Sequence, residues 1–418
     1  MEAKSSFSVI MPLFVVIFID TLSGTLLGPI LPILFVNSPD SILSPEVSPM
    51  LRYFLFGFTS SIFFIATFFA CPILGDLSDR MGRKKIMIIS LVGAFVGYLL
   101  SVVAVLMHTI TLLLLGRMIA GITAGSISAA KAAVIDVSND KNRTAFIGYI
   151  LLALSLGTII GPLLSGILSD AEWGSWFHIT TPLYAAALLS LLNAIYLYVG
   201  FHEAYTPTRK PIDLLSGLTT FVTAFVMPNI RGLATSFLFM QLGWSIFVQF
   251  IPLFLALRYQ FTPYKIGVFM SCMGVGFTLA FCYILNMLTA RFELRKIALY
   301  SIGIILVFIF MIVVVNDEAV TWVLSVPAAT CLAIAYSVLV SLFSEAVSKD
   351  QQGWVMGLTG AISAFSFGLS GLVAGLLVDI NVSAPIWLSL VLLFASVVSV
   401  YLTADSINLD KSSKVDNK

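Results

Sequence analysis

Charged residues are scarce in this sequence. Aspartate, glutamate, lysine and arginine make up 10% of its 418 residues, whereas soluble domains carry about 25%. Apolar residues reach 59%, and no water-soluble fold can bury that share of hydrocarbon. The composition therefore excludes a soluble protein and predicts a chain that lies in a membrane.

Cysteine and histidine are also few, with four and three residues. The cysteines lie in apolar stretches and the histidines are scattered, so neither type has the spacing of a metal site or a disulfide framework. No phosphate-binding glycine loop of the Walker type is present either. We predict a protein that is not an enzyme, needs no metal or other cofactor, hydrolyses no nucleotide and binds no nucleic acid.

Long apolar stretches, by contrast, recur along the whole chain. Each has about the twenty residues that cross the hydrocarbon core of a bilayer, and only short polar connections separate them. We count about twelve, which predicts an all-α membrane protein with twelve transmembrane helices. The stretches lie near residues 8–36, 51–74, 86–107, 109–138, 144–168, 179–200, 232–257, 264–290, 297–316, 319–347, 352–378 and 384–404.

Lysine and arginine accumulate on one side of these stretches. Because basic loops stay in the cytoplasm, both termini are predicted to be cytoplasmic, and Asn37–Met50 is the first long external loop. The first helix is too long for a cleavable signal and lacks a small-residue cleavage site, so we expect a multi-pass plasma membrane protein that retains it. In a bacterium this is the inner membrane. The inner basic residues are Arg80, Arg83, Lys84, Lys85, Lys141, Arg143, Arg209, Lys210, Arg231, Arg291, Arg295, Lys296 and Lys349, and only Arg52, Arg258 and Lys265 fall clearly on the other side.

The chain also contains an internal repeat. It predicts two pseudo-symmetric six-helix bundles at residues 1–200 and 232–418, joined by a cytoplasmic linker at 201–231. Two similar bundles can rock about a site held between them. Within the linker, Ile212–Val226 is apolar but too short to span, so we predict a helix on the inner membrane surface. Gly148, Gly166, Asp170 and Asp136 recur at one constant offset as Gly357, Gly375, Asp379 and Glu345.

A dense charged cluster separates the second and third apolar stretches. It reads Gly75-Asp76-Leu77-Ser78-Asp79-Arg80-Met81-Gly82-Arg83-Lys84-Lys85. This cluster resembles the cytoplasmic signature loop of the major facilitator superfamily, a family of membrane transporters. A degraded second copy at Arg291–Lys296 keeps basic residues but lacks the counterparts of Gly75 and Asp79. The resemblance implies the twelve-helix fold of that family.

The same resemblance implies a gate at the cytoplasmic end. In the family, the acid corresponding to Asp79 lies against the amino end of a helix from the other bundle, where a carboxylate is favourable. The base corresponding to Arg83 pairs with an acid at the inner end of the fourth span, here Asp136. The alternative is a plain basic anchor with solvated charges. The candidate gating residues are Gly75, Asp79, Arg80, Gly82, Arg83, Asp136 and its repeat partner Glu345.

Asp20 lies near the middle of the first apolar stretch. An ionised side chain at mid-bilayer costs about 3 kcal/mol on insertion scales and seldom persists without a use. Burial favours the neutral carboxyl group and a nearby cation favours the charged one, so such an acid can load and release a proton. Asp20 is therefore a candidate proton carrier. The alternative is a fixed ion pair between two helices.

Arg117 precedes a glycine by four residues in the fourth stretch. This resembles a family motif whose arginine is linked to proton transfer, and a structural pairing with Asp20 is the alternative. At about 100° per residue, one face of a continuous helix carries Arg117 and four further residues. They are Gly121, Ala124, Ser128 and Lys131, of which Ser128 and Lys131 are candidate substrate-binding residues.

Lys131 departs from the drug-exporting members of the family, which usually have a small residue there. A buried ammonium group favours an anionic partner. We therefore hypothesise that the substrate carries an acidic group. The alternative is a lysine that reaches the inner interface by snorkelling.

The fifth stretch contains glycines and a proline at spacings that resemble a motif of the proton-coupled exporters. Glycines let two helices approach closely, and proline removes one backbone hydrogen bond so that a helix can bend. The resemblance implies export, and generic small-residue packing is the alternative. The residues are Gly148, Gly157, Gly161, Pro162 and Gly166.

The seventh stretch carries Gln241, Ser245 and Gln249 at four-residue steps. Such a polar stripe could hydrogen-bond a substrate, and it could equally tie neighbouring helices together. The three residues are candidates for substrate binding.

Across nearly its whole length the chain resembles the twelve-helix drug/proton antiporters, particularly the tetracycline-efflux-like branch. The resemblance implies a monomer in the lipid bilayer that exports a small organic molecule in exchange for protons. One alternative is proton-coupled uptake of an anionic nutrient or siderophore, which Lys131 favours and the fifth-stretch motif disfavours. A second is a membrane receptor that kept the fold and lost transport.

Overall fold

The computed structural model describes residues 2–138, 143–203, 216–315, 317–348 and 351–415. Over these ranges the chain is helical and contains no β-strand. Four basic residues of the predicted inner side, Lys141, Arg209, Lys210 and Lys349, lie outside them. The helices are α1 (Glu2–Thr25), α2 (Leu31–Phe35), α3 (Pro49–Met81), α4 (Arg83–Leu106), α5 (Ile110–Ile122), α6 (Ser126–Asp136), α7 (Arg143–Leu168), α8 (Thr181–Gly200), α9 (Ser216–Val226), α10 (Arg231–Arg258), α11 (Pro263–Leu279), a π-helical turn (Ala280–Ile284), α12 (Leu285–Thr289), α13 (Leu294–Val315), α14 (Glu318–Glu345), α15 (Gln352–Leu377) and α16 (Ala384–Val415).

These helices confirm the predicted all-α membrane fold. In the described ranges, eleven helical segments are long and apolar enough to cross a bilayer, and Ile10–Thr25 of α1 is a shorter apolar helix. α5 and α6 together form the fourth span, and α11, the π-helical turn and α12 form the eighth. Within a helix the backbone N–H and C=O groups between its first and last turns pair with each other, as a segment in hydrocarbon requires.

The fourth span is not one continuous helix. α5 ends at Ile122, and α6 begins at Ser126 after a turn. The predicted single face from Arg117 to Lys131 is therefore wrong, because residues on either side of the turn do not follow one helical register. Gly121 is buried against α3, whereas Ser128 is exposed.

Two helix pairs join the two halves of the chain at one end of the bundle. We call the end with the signature loop the basic end and the other the opposite end. At the opposite end α3 lies so close to α15 that a Cβ on Gly375 would sit 2.9 Å from the Tyr53 carbonyl oxygen. α7 meets α11 there too, where Ser271 Oγ donates to the Ile159 carbonyl oxygen at 2.6 Å. Small residues permit this close approach of two backbones.

Toward the basic end α3, α7 and α15 carry glycines with open faces. A Cβ built on Gly75, Gly148, Gly357 or Gly360 would meet no atom within 4 Å beyond its chain neighbours and its own helical backbone. These glycines belong to α3, α7 and α15. These four glycines therefore lack the close backbone contacts that Gly57 and Gly375 make at the opposite end.

Aromatic side chains seal the opposite end. The ring centroid of Phe56, on α3, lies 6.0 Å from that of Phe35 and 5.3 Å from that of Phe250. Phe35 ends α2 and Phe250 belongs to α10, so this contact joins the two halves. All three rings are buried.

Arg52 holds the polar segment between α2 and α3 over this seal. Its guanidinium is 4% exposed and donates to the carbonyl oxygens of Val47, at 3.0 Å, and Phe35, at 3.3 Å. It also donates to Ser41 Oγ and to the Ser44 carbonyl oxygen. Carbonyl and hydroxyl oxygens thus satisfy a buried cation without a carboxylate.

The linker helix α9 packs against both halves. The ring centroid of Phe221 lies 5.8 Å from that of Phe68 on α3 and 4.8 Å from that of Phe365 on α15. The predicted helix at Ile212–Val226 thus begins at Ser216 in the described residues. Its position on the inner membrane surface stays a prediction.

Candidate functional site

The carboxylate of Asp20 lies on α1, facing the start of α6. Its Oδ2 accepts a hydrogen bond from Ser126 Oγ. The side chain is partly exposed, although its neighbours Ile17 and Ser23 are buried. No lysine, arginine or histidine among the described side chains lies within ion-pair distance. Asp20 is therefore an acid in a membrane helix without a fixed counter-ion.

The break in the fourth span creates this arrangement. Because α6 begins at Ser126, its amino end, which carries partial positive charge, points toward the Asp20 carboxylate. Sequence analysis missed Ser126 as a site residue. The signal was Gly121 and Gly125 flanking the turn, since glycines weaken a helix at such a point.

Arg117 of α5 does not pair with Asp20 in the structure. Its guanidinium carbon stands 4.6 Å from the ring centroid of Phe63, a cation–π contact. Its Nε donates to the Thr59 carbonyl oxygen at a long 3.5 Å. The buried Tyr98 of α4 lies in the neighbourhood of Asp20 and Arg117, and sequence analysis missed it.

Lys131 lies on α6 beside the Cys71 thiol of α3. The lysine is partly exposed, and Ser128, one turn earlier on α6, is exposed. No described carboxylate lies within ion-pair distance of the ammonium group. Lys131 is therefore a cation without a carboxylate partner among the described residues.

The polar stripe of α10 is used in contacts with α15. Gln241 Nε2 donates to Ser363 Oγ at 2.7 Å, and Gln249 Nε2 donates to Ser370 Oγ at 2.5 Å. Ser245 Oγ donates to a carbonyl oxygen of α15 at 3.2 Å. These bonds match the alternative in which the stripe ties neighbouring helices together. The other side-chain atom of Gln249, Oε1, is buried and has no hydrogen-bond partner among the described residues.

The glycines of α7 lie in two contacts. Gly157 and Gly161 pack against α1, where Thr25 Oγ1 donates to the Gly157 carbonyl oxygen at 3.2 Å. Pro162 and Gly166 pack against α11 of the other half. Gly148 lies at the basic end, where a Cβ built on it would meet no atom within 4 Å. The helix of the exporter-like motif therefore links the Asp20 helix to the seam between the halves.

Arg83 organises the signature loop. Its Nη1 lies 2.5 Å from Asp79 Oδ1, and its Nε lies 3.1 Å from Asp136 Oδ2 at the end of α6. Gly82, between α3 and α4, has φ +99°, a left-handed value that favours glycine. Arg80 and Glu345 are exposed, and Glu345 ends α14. The contact of Asp79 with a helix of the other half stays a prediction, because Gly75 and its surroundings stand clear of α15.

The described part of the chain contains no group of three histidine, cysteine, aspartate or glutamate side chains that could hold a metal ion.

A family model described as Major Facilitator Superfamily matches residues 13–326. This match covers well over half of the chain, including the signature loop and the Asp20 and Arg117 helices. The chain belongs to the major facilitator superfamily. Members of this superfamily are transporters rather than enzymes. They lie in the lipid bilayer and transport a small-molecule substrate.

Drug-resistance proteins are among the relatives of this superfamily member. It is 27% identical over 372 residues to the class H tetracycline resistance protein of Pasteurella multocida, covering 85% of this chain and 88% of the relative. It is 25% identical over 354 residues to the quinolone resistance protein NorA of Staphylococcus aureus (strain COL), covering 83% and 86%. These relatives confirm the likeness to the drug-efflux branch.

Solved superfamily structures share the fold at low identity. A D-xylose–proton symporter matches with a TM-score of 0.75 at 12% identity, covering 94% of this chain and 97% of the other. The human organic anion transporter MFSD10 matches with a TM-score of 0.68 at 19% identity, covering 94% and 99%. These likenesses establish the fold alone.

In this superfamily member the signature loop has a further partner, Glu203, which sequence analysis missed. Its carboxylate accepts a hydrogen bond from the backbone N–H of Arg83 at the start of α4. Lys84 Nζ donates to the Tyr198 carbonyl oxygen at 2.7 Å nearby. A carboxylate at the amino end of a helix is stabilising. The end of α8, where the linker begins, is therefore fastened to the signature loop.

Replacing Glu203 tests this link. We expect Glu203→Ala to lower the free energy of unfolding by about 1 kcal/mol or less, the effect of an exposed helix cap. Glu203→Gln should recover part of that loss, because its amide oxygen still accepts the Arg83 hydrogen bond. Thermal unfolding of the purified protein measures this, with the exposed Glu172→Ala as the matched control. Equal unfolding temperatures for all variants would show that Glu203 does not stabilise the signature loop.

Proposed function

We propose that this protein exports a small organic molecule from the cytoplasm in exchange for protons, by alternating access. The observation that carries the proposal is Asp20, a membrane carboxylate held by a hydroxyl group and not by a cation. A carboxylate with a fixed counter-ion would stay charged. Without one, Asp20 can bind a proton in one conformation and release it in the other.

Orientation follows from the basic loops. We place the basic end in the cytoplasm because positive loops are retained there. The close α3–α15 contacts at the opposite end and the open faces of Gly75, Gly357 and Gly360 at the basic end then fit a conformation open to the cytoplasm. Transport requires the reverse arrangement as well, in which the aromatic seal at Phe56 opens and the signature loop approaches α15. The two six-helix bundles are the moving bodies in this proposal.

The proton exchange uses the neighbours of Asp20. The Ser126 hydroxyl group donates to the charged carboxylate and stabilises it. Protonation removes the charge and weakens that hydrogen bond, which frees the start of α6 to shift against α1. Arg117, which contacts Phe63 and the Thr59 carbonyl oxygen, lies in the same bundle and remains available to a cargo group. Cargo and proton would thus compete for one region of the first bundle.

The membrane potential supplies the driving force. Each proton that enters releases about 2.3 kcal/mol per 100 mV. Since 1.4 kcal/mol corresponds to a factor of ten, one proton can support roughly a 40-fold gradient at that potential for a cargo without net charge, such as a zwitterion with an acidic group. This agrees with the sequence, which has no phosphate-binding loop of the Walker type.

The names of the relatives suggest the cargo. Tetracycline and quinolone resistance proteins are both similar over most of this chain. Quinolones carry a carboxylate, and the ammonium group of Lys131, which has no described acidic partner, would favour such a group. We propose cargo with an acidic group.

Exchange of Lys131 tests the cargo class. We expect Lys131→Ala to weaken the apparent affinity for an acidic quinolone about tenfold and to leave that for an uncharged solute within about twofold, because an ion pair away from water contributes more than an exposed one. Concentration-dependent transport in vesicles measures both. Lys296→Ala, whose exposed ammonium lies 3.3 Å from Glu293, is the control. Equal effects on acidic and neutral solutes would contradict the assignment.

Inside-out vesicles with an acidic interior distinguish export from its alternatives. In the exporter, tetracycline or a quinolone added outside should collapse the pH gradient, because each molecule entering the vesicle releases protons from it. The alternative that Lys131 alone favours is proton-coupled uptake of an anionic nutrient. Such a system carries solute and protons in the same direction, so solute entering the vesicle should not drive protons out of it. A receptor without transport should leave the gradient unchanged for every solute.

A further inference from the structure

A cavity lies between α3, α9 and α15, and neither Asp20 nor Lys131 lines it. Its volume is about 310 Å³. The linker helix α9 covers it, and α3 and α15 form its floor, so both halves and the linker contribute. Its walls include Ile65, Phe68, Leu218, Phe221, Phe365 and Leu369.

The inner wall of this cavity is an aromatic cluster. The rings of Phe68, Phe221 and Phe365 form a triangle, and the centroids of Phe68 and Phe365 are 6.0 Å apart. Phe68 is only 7% exposed. A Cβ built on Gly75, about two turns further along α3, would meet no atom within 4 Å. The cluster therefore lies between the close α3–α15 contact at Gly57 and the open face of Gly75.

The outer rim faces the bilayer. Phe69 is 58% exposed, Leu218 43% and Leu369 38%, and α3 and α15 are membrane spans. Exposed apolar side chains on a membrane span are covered by lipid tails. The cavity is thus continuous with the surface that the bilayer covers.

The lining decides the chemistry of an occupant. No lining residue carries a polar side chain, so a polar group placed there would lose its hydrogen bonds to water without replacement. The volume lies near the lower end of the roughly 300–1,000 Å³ range of ligand pockets. These properties fit a flexible hydrocarbon chain.

We propose that this cavity binds one acyl chain of a bilayer lipid, held between α9 and the α3–α15 seam. The chain enters from the surrounding bilayer past Phe69 and Leu369 and contacts the Phe68, Phe221 and Phe365 rings. This proposal depends on the membrane location of the protein and is independent of proton coupling.

Photolabelling tests the proposal. The full-length protein is reconstituted with phosphatidylethanolamine whose acyl chain carries a photoactivatable diazirine, irradiated, and its labelled peptides are mapped by mass spectrometry. We expect label on Phe68 and Phe365, because both rings line the cavity. Lipid outside the cavity would label mainly the exposed side chains of the helices. Ala364→Trp, which fills the cavity, should reduce that label at least fivefold, and Ala319→Trp at an exposed site on α14 should not.

A second cavity-filling variant and two contradicting outcomes complete the test. Should Ala364→Trp fail to fold, Ala364→Leu fills the cavity with a smaller side chain and should reduce the label in the same direction. Label restricted to exposed positions, with no effect of filling, would overturn the proposal. Displacement of the label by excess tetracycline or quinolone would also overturn it, because the cavity would then belong to the cargo.

Discussion

Asp20→Asn is expected to abolish uphill transport while the protein still exchanges cargo. Asparagine keeps the size of the side chain and can still accept the Ser126 hydrogen bond, but it cannot bind and release a proton. Energised accumulation of a transported quinolone in inside-out vesicles should fall to the level of equilibration, a loss of up to roughly 40-fold at 100 mV for one proton. Exchange of labelled for unlabelled cargo, without a proton gradient, should persist.

The comparison of these two measurements separates coupling from folding. A misfolded variant would lose both accumulation and exchange, whereas an uncoupled one loses only accumulation. Asp40→Asn removes an exposed carboxylate from the segment between α2 and α3 and is the matched control, with unchanged accumulation expected. Full accumulation by Asp20→Asn would assign proton transport to another residue.

Gly57→Leu is expected to prevent closure of the opposite end. A Cβ at this position would lie 3.0 Å from the Cα of Gly375 and closer still to the Gly371 carbonyl oxygen. Both obstacles are backbone atoms, which cannot turn aside. Overpacking of this kind costs about 1–3 kcal/mol, which shifts a two-state equilibrium by roughly 5- to 150-fold. Transport should fall by a similar order, because the cytoplasm-open state is depleted.

Thiol labelling reports this shift directly. In a cysteine-free background, a cysteine replacing Phe250 should be protected in the parent and react from the external side in Gly57→Leu. Gly303→Leu is the matched control, because Gly303 on α13 has no neighbour within 4 Å. It should keep transport and protection. Unchanged protection in Gly57→Leu would mean that the α3–α15 seam does not set the conformation.

Much of the fold follows from the sequence because the bilayer leaves few choices. An apolar stretch such as 384–404 has to form a helix, since hydrocarbon offers its backbone no other partner. The carboxylate of Asp20 and the guanidinium of Arg117 stand out in such stretches because charge is costly there. The Arg83–Asp136 pair also occurs in the structure, and its role in gating stays a prediction.

Tertiary contacts determine what the sequence leaves open. The break before Ser126 depends on how Gly121 packs against α3 and Gly125 against Leu74, which a helical wheel does not contain. Gln241 and Ser245 fit either a pore or a neighbouring helix by their spacing, and only the position of α15 decides between them. Glu203 is distant from the signature loop in sequence and reaches it through the packing of α8.

Proton movement driven by cargo alone tests the central claim most directly. The purified protein is reconstituted into liposomes with a pH-sensitive dye inside and equal pH on both sides, and a quinolone or tetracycline gradient is then imposed. We expect cargo flow to drive protons in the opposite direction, visible as a change in dye signal that reverses with the cargo gradient and is absent in Asp20→Asn. Cargo entry without any proton movement, or an equal signal in Asp20→Asn, would contradict the account.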